Sequence, residues 1–366
     1  MSGSRSSSPS GKSSRSKAAT RVTAKTVTPA PAFTYRAGVR LAGTTLACDP
    51  MRSANELVFL SHESALPPGT RAPSARPGWQ QVILTSTTLA LLGKAGATLR
   101  ARALLSDYGR PFNVGTLRLE LFPSGHGPGA AALLCSTDGR RLVYTGPLRM
   151  GALEKTATFV REAEIRPADA LCIDATYGDP RFVFPPREEG LQQLRRFVQD
   201  AFCAGHTPVV LVGPVVSALE LGAFLEGEGH RLRAHTQFVT AAQALRRTGA
   251  VAPDFKRFAG KCAPRECLLW PMAARKARAL GPLASPQFLL ASGLAVDREA
   301  RNRFQVDAAI ALSGRSGAPD LVAFAAATGA QEVACFGANA DALAKTLQKR
   351  GHTAYPLSPP RQISLF

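Results

Sequence analysis

The sequence predicts a mixed α/β protein of two units, and three observations carry that expectation. Short β-rich apolar runs crowd residues 57–146, and strand and helix patterns alternate from about residue 170 onward. The chain has 366 residues and 45% hydrophobic content, enough for about two domains with buried cores.

The first half reads as strands at LVFLS (57–61), QVILT (81–85), LRLELF (117–122), ALLCST (132–137) and RLVYTG (141–146). LRLELF alternates, so one of its faces is polar or solvated. Asp138-Gly139 lies between two runs and signals an antiparallel hairpin. ALCIDAT (170–176) follows. Residues 188–205 carry apolar side chains at helical spacing and end at Gly205. PVVLVG (208–213) is the next strand and residues 216–229 the next helix. Residues 318–330 form a helix stopped by Gly329, EVACFG (332–337) a strand, and residues 340–351 a helix closed by Gly351. This βαβα order predicts a parallel sheet covered by helices.

The net charge is +19 and the sequence pI about 10.4. Residues 1–28 carry six of those charges (Arg5, Lys12, Arg15, Lys17, Arg21, Lys25) and no acid, which leaves +13 on the rest. The excess favours an anionic partner such as nucleic acid. Residues 1–30 are expected to be a disordered basic Ser-rich tail, with some likeness to a transit peptide but no secretory h-region. No run of 18 apolar residues occurs, so no membrane span or membrane partner is expected. A collagen, a wholly disordered chain and a disulfide scaffold are excluded by composition, and no internal repeat is evident.

The seven cysteines contain no CxxC pair. Most stand in apolar runs and read as small buried hydrophobes suited to a reducing cytoplasm. Cys262 and Cys267 have no adjacent His, which argues against zinc there.

Four strand ends could carry chemistry. His62 ends ELVFLSHES; His126 lies between glycines in PSGHGPG; Asp174, Thr176 and Tyr177 end LCIDATYG; AIALSGRSGAPD runs into a Gly-rich turn. Side chains at such ends can meet in one crevice, and two histidines with Asp174 could share a metal. Each also has a structural reading: a polar loop histidine, a glycine turn, an N-cap, or a loop that cradles phosphate.

In order, FLSHES, PSGHGPGAA, LVYTGPL, DATYGDPRFVFP, LLASG, AIALSGRSGAPD and ACFGANADALAKTLQKRG resemble the metallo-β-lactamase-fold nucleases of the β-CASP group. The likeness covers residues 40–366 and is nearest the bacterial ligase-associated DNA exonucleases, also described as mRNA 3′-end processing factor-like. It implies a four-layer αββα core (31–186 and 286–366) with an inserted β-CASP-type α/β domain (187–285). It also implies zinc-dependent phosphodiester hydrolysis in active relatives, through two zinc ions held by a His-x-His-x-Asp-His turn, a Gly-His, a bridging Asp and further histidines.

The chain departs from that ligand set. His62 and His126 match, but Ser64, Leu66 and Pro67 replace the rest of the first turn. Pro147 stands for the bridging acid, Arg315 for the histidine of an SDHAD-type segment, and Phe336 for the final histidine; Asp174 keeps the family acid. His62 and His126 are therefore remnant metal ligands, Asp174 the candidate catalytic acid, and no bound cofactor is expected. Arg315 would repel a cation, and could fill the vacant site or bind phosphate.

Basic residues Arg195, Arg196, Arg246, Arg247, Arg275, Lys276 and Arg315 are the candidate nucleic-acid contacts. The expected function is that of a catalytically inactive, cytoplasmic nuclease homologue. It would bind DNA or RNA, or a repair ligase, helicase or RNA-processing protein. An active hydrolase with a mononuclear site at His62, His126 and Asp174 is the alternative, and a pure protein-binding scaffold the third.

Overall fold

The computed structural model describes residues 31–51, 56–66, 78–151 and 156–357. The expectations for the basic tail, for Pro67 and for the chain's last nine residues lie outside them.

Three sheets organise the chain. The first has six short strands in chain order from Phe33–Tyr35 to Ala103–Leu105. Its first three pair antiparallel, whereas Leu46–Cys48, Leu57–Phe59, Gln81–Leu84 and Ala103–Leu105 pair parallel. The second sheet holds an antiparallel run from Phe112–Val114 to Arg140–Tyr144, continued in parallel by Ala170–Asp174, Glu332–Phe336 and Thr353–Pro356. The predicted hairpin is present. Asp138 and Gly139 have φ of 49° and 73°, the left-handed pair that a tight two-residue turn demands.

The two sheets pack face to face. Phe33, Leu46, Phe59 and Ile83 of the first meet Leu119, Leu133, Tyr144 and Cys172 of the second in one buried cluster. The outer face of the second is covered by helices Ala318–Thr328 and Ala340–Gln348 through Leu321, Phe324, Leu343 and Leu347. The outer face of the first is covered by Ser86–Leu91 and Lys94–Leu99, with Trp79 and Leu66 filling the layer.

The third sheet is wholly parallel: Lys256–Arg257, Arg231–Ala234, Glu266–Pro271, Thr207–Val212, Pro286–Ala291 and Ala308–Ile310. Helix Arg187–Cys203 buries Leu191, Leu194 and Val198 against it. Glu188 and Glu189 in its first turn complement the helix dipole, and Gly205 (φ 75°) ends it. Helix Val215–Gly227 is buried from Val216 to Leu225, so it crosses the interior instead of floating on it. The parallel sheet expected of the second half is therefore present, but Glu332–Phe336 leaves it and pairs with Ala170–Asp174 in the second sheet. Pro286–Ala291 and Ala308–Ile310 hydrogen-bond into the third sheet, which therefore runs to Ile310.

Candidate functional site

Chain segments far apart in sequence converge at one end of the second sheet. His62 follows the Leu57–Phe59 strand, and His126 follows Leu117–Pro123. Their rings meet edge to face with centroids 5.4 Å apart, and both are buried. The two histidines singled out from the sequence are thus brought together.

His126 Nδ1 lies 2.7 Å from the Gly314 carbonyl. A carbonyl only accepts, so Nδ1 carries the proton and Nε2 keeps a bare lone pair. Nε2 is buried without a hydrogen-bond partner among the described residues. Burial, reinforced by the positive charges of Arg315 and Arg149, holds the His126 pKa down to about 3. The ring is therefore neutral at physiological pH.

A second chain of hydrogen bonds orients His62. Asp49 accepts from the Ser61 backbone N–H (2.8 Å), the Ser61 hydroxyl (2.5 Å) and the Tyr144 hydroxyl (2.9 Å). The Ser61 proton is spent on Asp49, so its oxygen accepts from His62 Nδ1 at 2.9 Å. Gly146 permits this arrangement: a Cβ there would lie 2.6 Å from the Ser61 side chain. Loss of water around Asp49 raises its carboxyl to about 6 against the pull of those hydrogen bonds. Sequence reasoning missed Asp49, Ser61 and Tyr144 as a site; the one local sign is an acid, Asp49, directly after the apolar strand Leu46–Cys48.

Asp174 does not face the histidines as a ligand. Its Oδ1 accepts from the Thr176 N–H (2.9 Å) and hydroxyl (2.6 Å), and its Oδ2 pairs with Arg315 Nη1. Arg315 Nη1 also reaches Thr176 Oγ1 at 2.7 Å. Ser313 Oγ fixes the loop by accepting from the Arg315 N–H (3.0 Å) and donating to its carbonyl (2.7 Å). Leu66 packs in the core, Pro147 is buried, and Phe336 stacks on Tyr144 at 5.3 Å. Apolar side chains thus occupy three positions where the resemblance asked for ligands.

Zinc is the metal the resemblance implies, and the donor set does not fit it. Among the described residues, no group of three or more His, Cys, Asp or Glu side chains is arranged to hold a metal. Two imidazoles remain, and a guanidinium neutralises the acid that would join them.

Relatives of this chain carry nuclease and ligase names. No family model matches. A probable DNA ligase of Opitutus terrae is 25% identical over 246 residues, 67% of this chain and 24% of that protein. Ribonuclease TTHA0252 of Thermus thermophilus is 30% identical over 127 residues, 34% of this chain and 28% of that protein. An RNase J-like protein of Methanocaldococcus jannaschii is 25% identical over 105 residues, 29% of this chain and 24% of that protein. These relatives support a nuclease family at low identity. The chain spans about a quarter of the length of each. A solved structure, a protein of unknown function from Enterococcus faecalis V583, superposes with a TM-score of 0.52 at 15% identity, covering 83% of this chain and 79% of that one. That likeness speaks to the fold alone.

Behind the histidines, helix Val215–Gly227 closes the site. A Cβ on Gly127 would lie 2.5 Å from Val216, and one on Gly314 would lie 3.1 Å from Ser217 and 3.7 Å from His126. From this helix Glu220, 1% exposed, takes Arg149 Nη1 at 2.5 Å and Arg187 Nη2 at 3.1 Å on one oxygen. Arg187 Nη1 also donates to the Ser313 carbonyl at 3.0 Å. Sequence reasoning missed Glu220 too, although it stands alone among the apolar and small residues 215–225; Arg149 and Arg187 give no local sign.

The basic candidates fare differently. Arg195 pairs with Glu228, Arg246 reaches Asp254, and Arg275 lies over the Phe288 ring while donating to the Gln305 carbonyl. Arg196, Arg247 and Lys276 are exposed. Arg247 joins Lys94 and Arg100, which the sequence reading passed over, around a cleft of about 730 Å³ between the first-sheet helices and helix Thr236–Arg246. All seven cysteines are free, and Cys203 alone among them is exposed. Among the described residues no helix is long and apolar enough to cross a membrane.

Proposed function

We propose that the chain is a nucleic-acid-binding homologue of the β-CASP nucleases that has lost the two-metal hydrolytic centre. It would keep an αββα core and an inserted α/β domain over about residues 187–285, and act in the cytoplasm beside repair or RNA-processing proteins. The observation that carries this reading is the Arg315–Asp174 pair, which puts a fixed cation where the resemblance requires a metal ligand. A guanidinium substitutes for part of the charge of a metal, but it cannot generate hydroxide from bound water. The body's surplus of positive charge and the nuclease and ligase names of its relatives favour phosphate contact.

The test is binding and cleavage measured together on the full chain, with single-stranded DNA and RNA at several salt concentrations and with zinc or manganese added. Binding that weakens steeply with salt, without cleavage, is expected. Metal-dependent cleavage abolished by His126→Ala would overturn the reading.

A further inference from the structure

The third sheet carries a crevice of its own, at the carboxyl ends of three neighbouring strands. Ala234 stands opposite Arg257 on one side and Leu269 on the other. The next row across those strands is therefore Phe258, His235 and Trp270. The Phe258 N–H donates to the Ala234 carbonyl at 3.0 Å and the His235 N–H to the Leu269 carbonyl at 3.1 Å, which extends the register by that row. Both rings meet Trp270 edge to face, His235 with centroids 4.7 Å apart and Phe258 with centroids 5.6 Å apart. Trp270 gives its Nε1–H to the Ala274 carbonyl at 2.9 Å, so what its ring offers a ligand is carbon surface.

Chain topology keeps this end open. After Arg231–Ala234 the chain enters helix Thr236–Arg246, which packs Phe238, Ala242 and Leu245 on the face of Val210 and Leu269. After Glu266–Pro271 it turns to the opposite face, where Leu280 and Leu283 pack with Leu211 and Leu268. Adjacent parallel strands whose continuations leave on opposite faces open a crevice at their carboxyl ends, the common ligand position in such sheets. Here it is a cavity of about 420 Å³ whose lining includes His235, Thr236, Arg257, Phe258 and Trp270. That volume lies within the range of about 300–1,000 Å³ for small-ligand clefts.

The lining contains no acid. Arg257 is exposed, and its side chain has no partner among the described residues. His235 Nδ1 accepts from the Gln237 N–H at 3.3 Å, so the ring proton sits on Nε2, a donor without a partner among the described residues. Burial lowers the His235 pKa, so the ring is neutral at physiological pH. Aromatic walls with a cation at the rim suit a flat neutral ring joined to an anion. A bare anion would use the arginine and waste the rings; a cation would be repelled. One strand beyond Glu266–Pro271, Thr207–Val212 leads into the helix whose Val216 closes on Gly127, beside His126. The carboxyl edge of the sheet thus runs from the cavity to the paired histidines.

We infer that this cavity holds one nucleotide of a single strand, its base against His235, Phe258 and Trp270 and its phosphate on Arg257. The strand as occupant rests on the function proposed above; the fit of a base to the cavity does not.

The test titrates the full chain at one ionic strength with a labelled single-stranded oligonucleotide, an abasic strand of equal length, and a mononucleotide. Trp79, 1% exposed, is replaced by Phe so that Trp270 is the one tryptophan left to report by its fluorescence. Strand affinity is read by anisotropy on the chain with both tryptophans, which does not depend on that replacement. Trp270→Ala would open the core, so the variants are His235→Ala and Arg257→Gln, neither at a buried position, each checked by circular dichroism. Saturable quenching of Trp270 by the base-bearing strand and the mononucleotide, and none by the abasic strand, is expected. Each variant should bind the strand at least about fivefold more weakly. No quenching, equal quenching by the abasic strand, or unchanged strand affinity in both variants overturns the inference. Salt-sensitive strand binding in that event leaves the proposed function standing. Quenching by the mononucleotide with no affinity for any strand overturns the strand as occupant, and the proposed function with it.

Discussion

Arg315 holds Asp174 through Nη1, while the same nitrogen lies 2.7 Å from Thr176 Oγ1. The carboxylate is 3% exposed, and Arg315 is its ion-pair partner. Arg315→Met should cost about 1–3 kcal/mol of stability, less than for a fully buried pair because the arginine side chain is 30% exposed. A double-mutant cycle with Asp174→Asn, read by urea unfolding, should show positive coupling; additive losses would disprove the pair's role.

Glu220→Leu should be harsher. It strips Arg149, 5% exposed, and Arg187 of their shared carboxylate inside the fold. A loss of about 3–5 kcal/mol is expected, seen as a lower urea midpoint with unchanged slope.

The pH profile should carry two opposed signatures. The His126 pKa is lowered to about 3 by burial, so unfolding takes up a proton as pH falls through 6.5, and stability drops. Asp49 is raised to about 6, so the folded state holds a proton that the unfolded state lacks between about 6 and 3.8, and its contribution is lost as pH rises through 6. In that shared window the two cancel. Asp49→Asn removes one of them, so the variant should lose about 1.4 kcal/mol per pH unit on acidification from pH 6 to pH 4. Urea titrations at pH 6, 5 and 4 decide; parallel profiles for the variant and the parent would count against the assignment.

Gly125→Ala tests the turn that presents His126. Gly125 has φ 74°, and an added Cβ would lie 2.0 Å from the Arg149 carbonyl oxygen. A loss of at least about 2 kcal/mol in thermal or urea unfolding is expected.

Charge reversal at Lys94, Arg100 and Arg247 tests the basic cleft. The triple glutamate variant should bind single strands at least about tenfold more weakly at low salt and show a shallower salt slope. All three residues are exposed, so stability should barely change. Unaltered binding would place the nucleic-acid face elsewhere.

What could be read from the sequence follows from where the information sits. The Asp138-Gly139 hairpin was legible because the turn demands residues that tolerate positive φ. Helix Arg187–Cys203 was legible because Leu191, Leu194 and Val198 repeat at its period. The three-residue strands of the first sheet were largely missed, since Phe33–Tyr35 and Leu46–Cys48 draw their stability from pairing and from the facing sheet. Ser86–Leu91 and Lys94–Leu99 are too short to display a helical period. At the site, strand ends named His62, His126 and Asp174, but no local pattern could show that Arg315 captures the acid from 141 residues away. Likewise no local pattern in the sequence showed that Arg195 pairs with Glu228, at the end of the neighbouring helix.

The Arg149–Glu220–Arg187 cluster has a consequence for protein engineering. Its central acid belongs to the helical cover of the parallel sheet, while Arg149 belongs to the stacked pair of sheets. A truncation that excises the parallel-sheet segment would therefore abandon a guanidinium in a dry seam. Neither fragment can be treated as a spare part, and insertions or tags are better placed on exposed surface far from that seam.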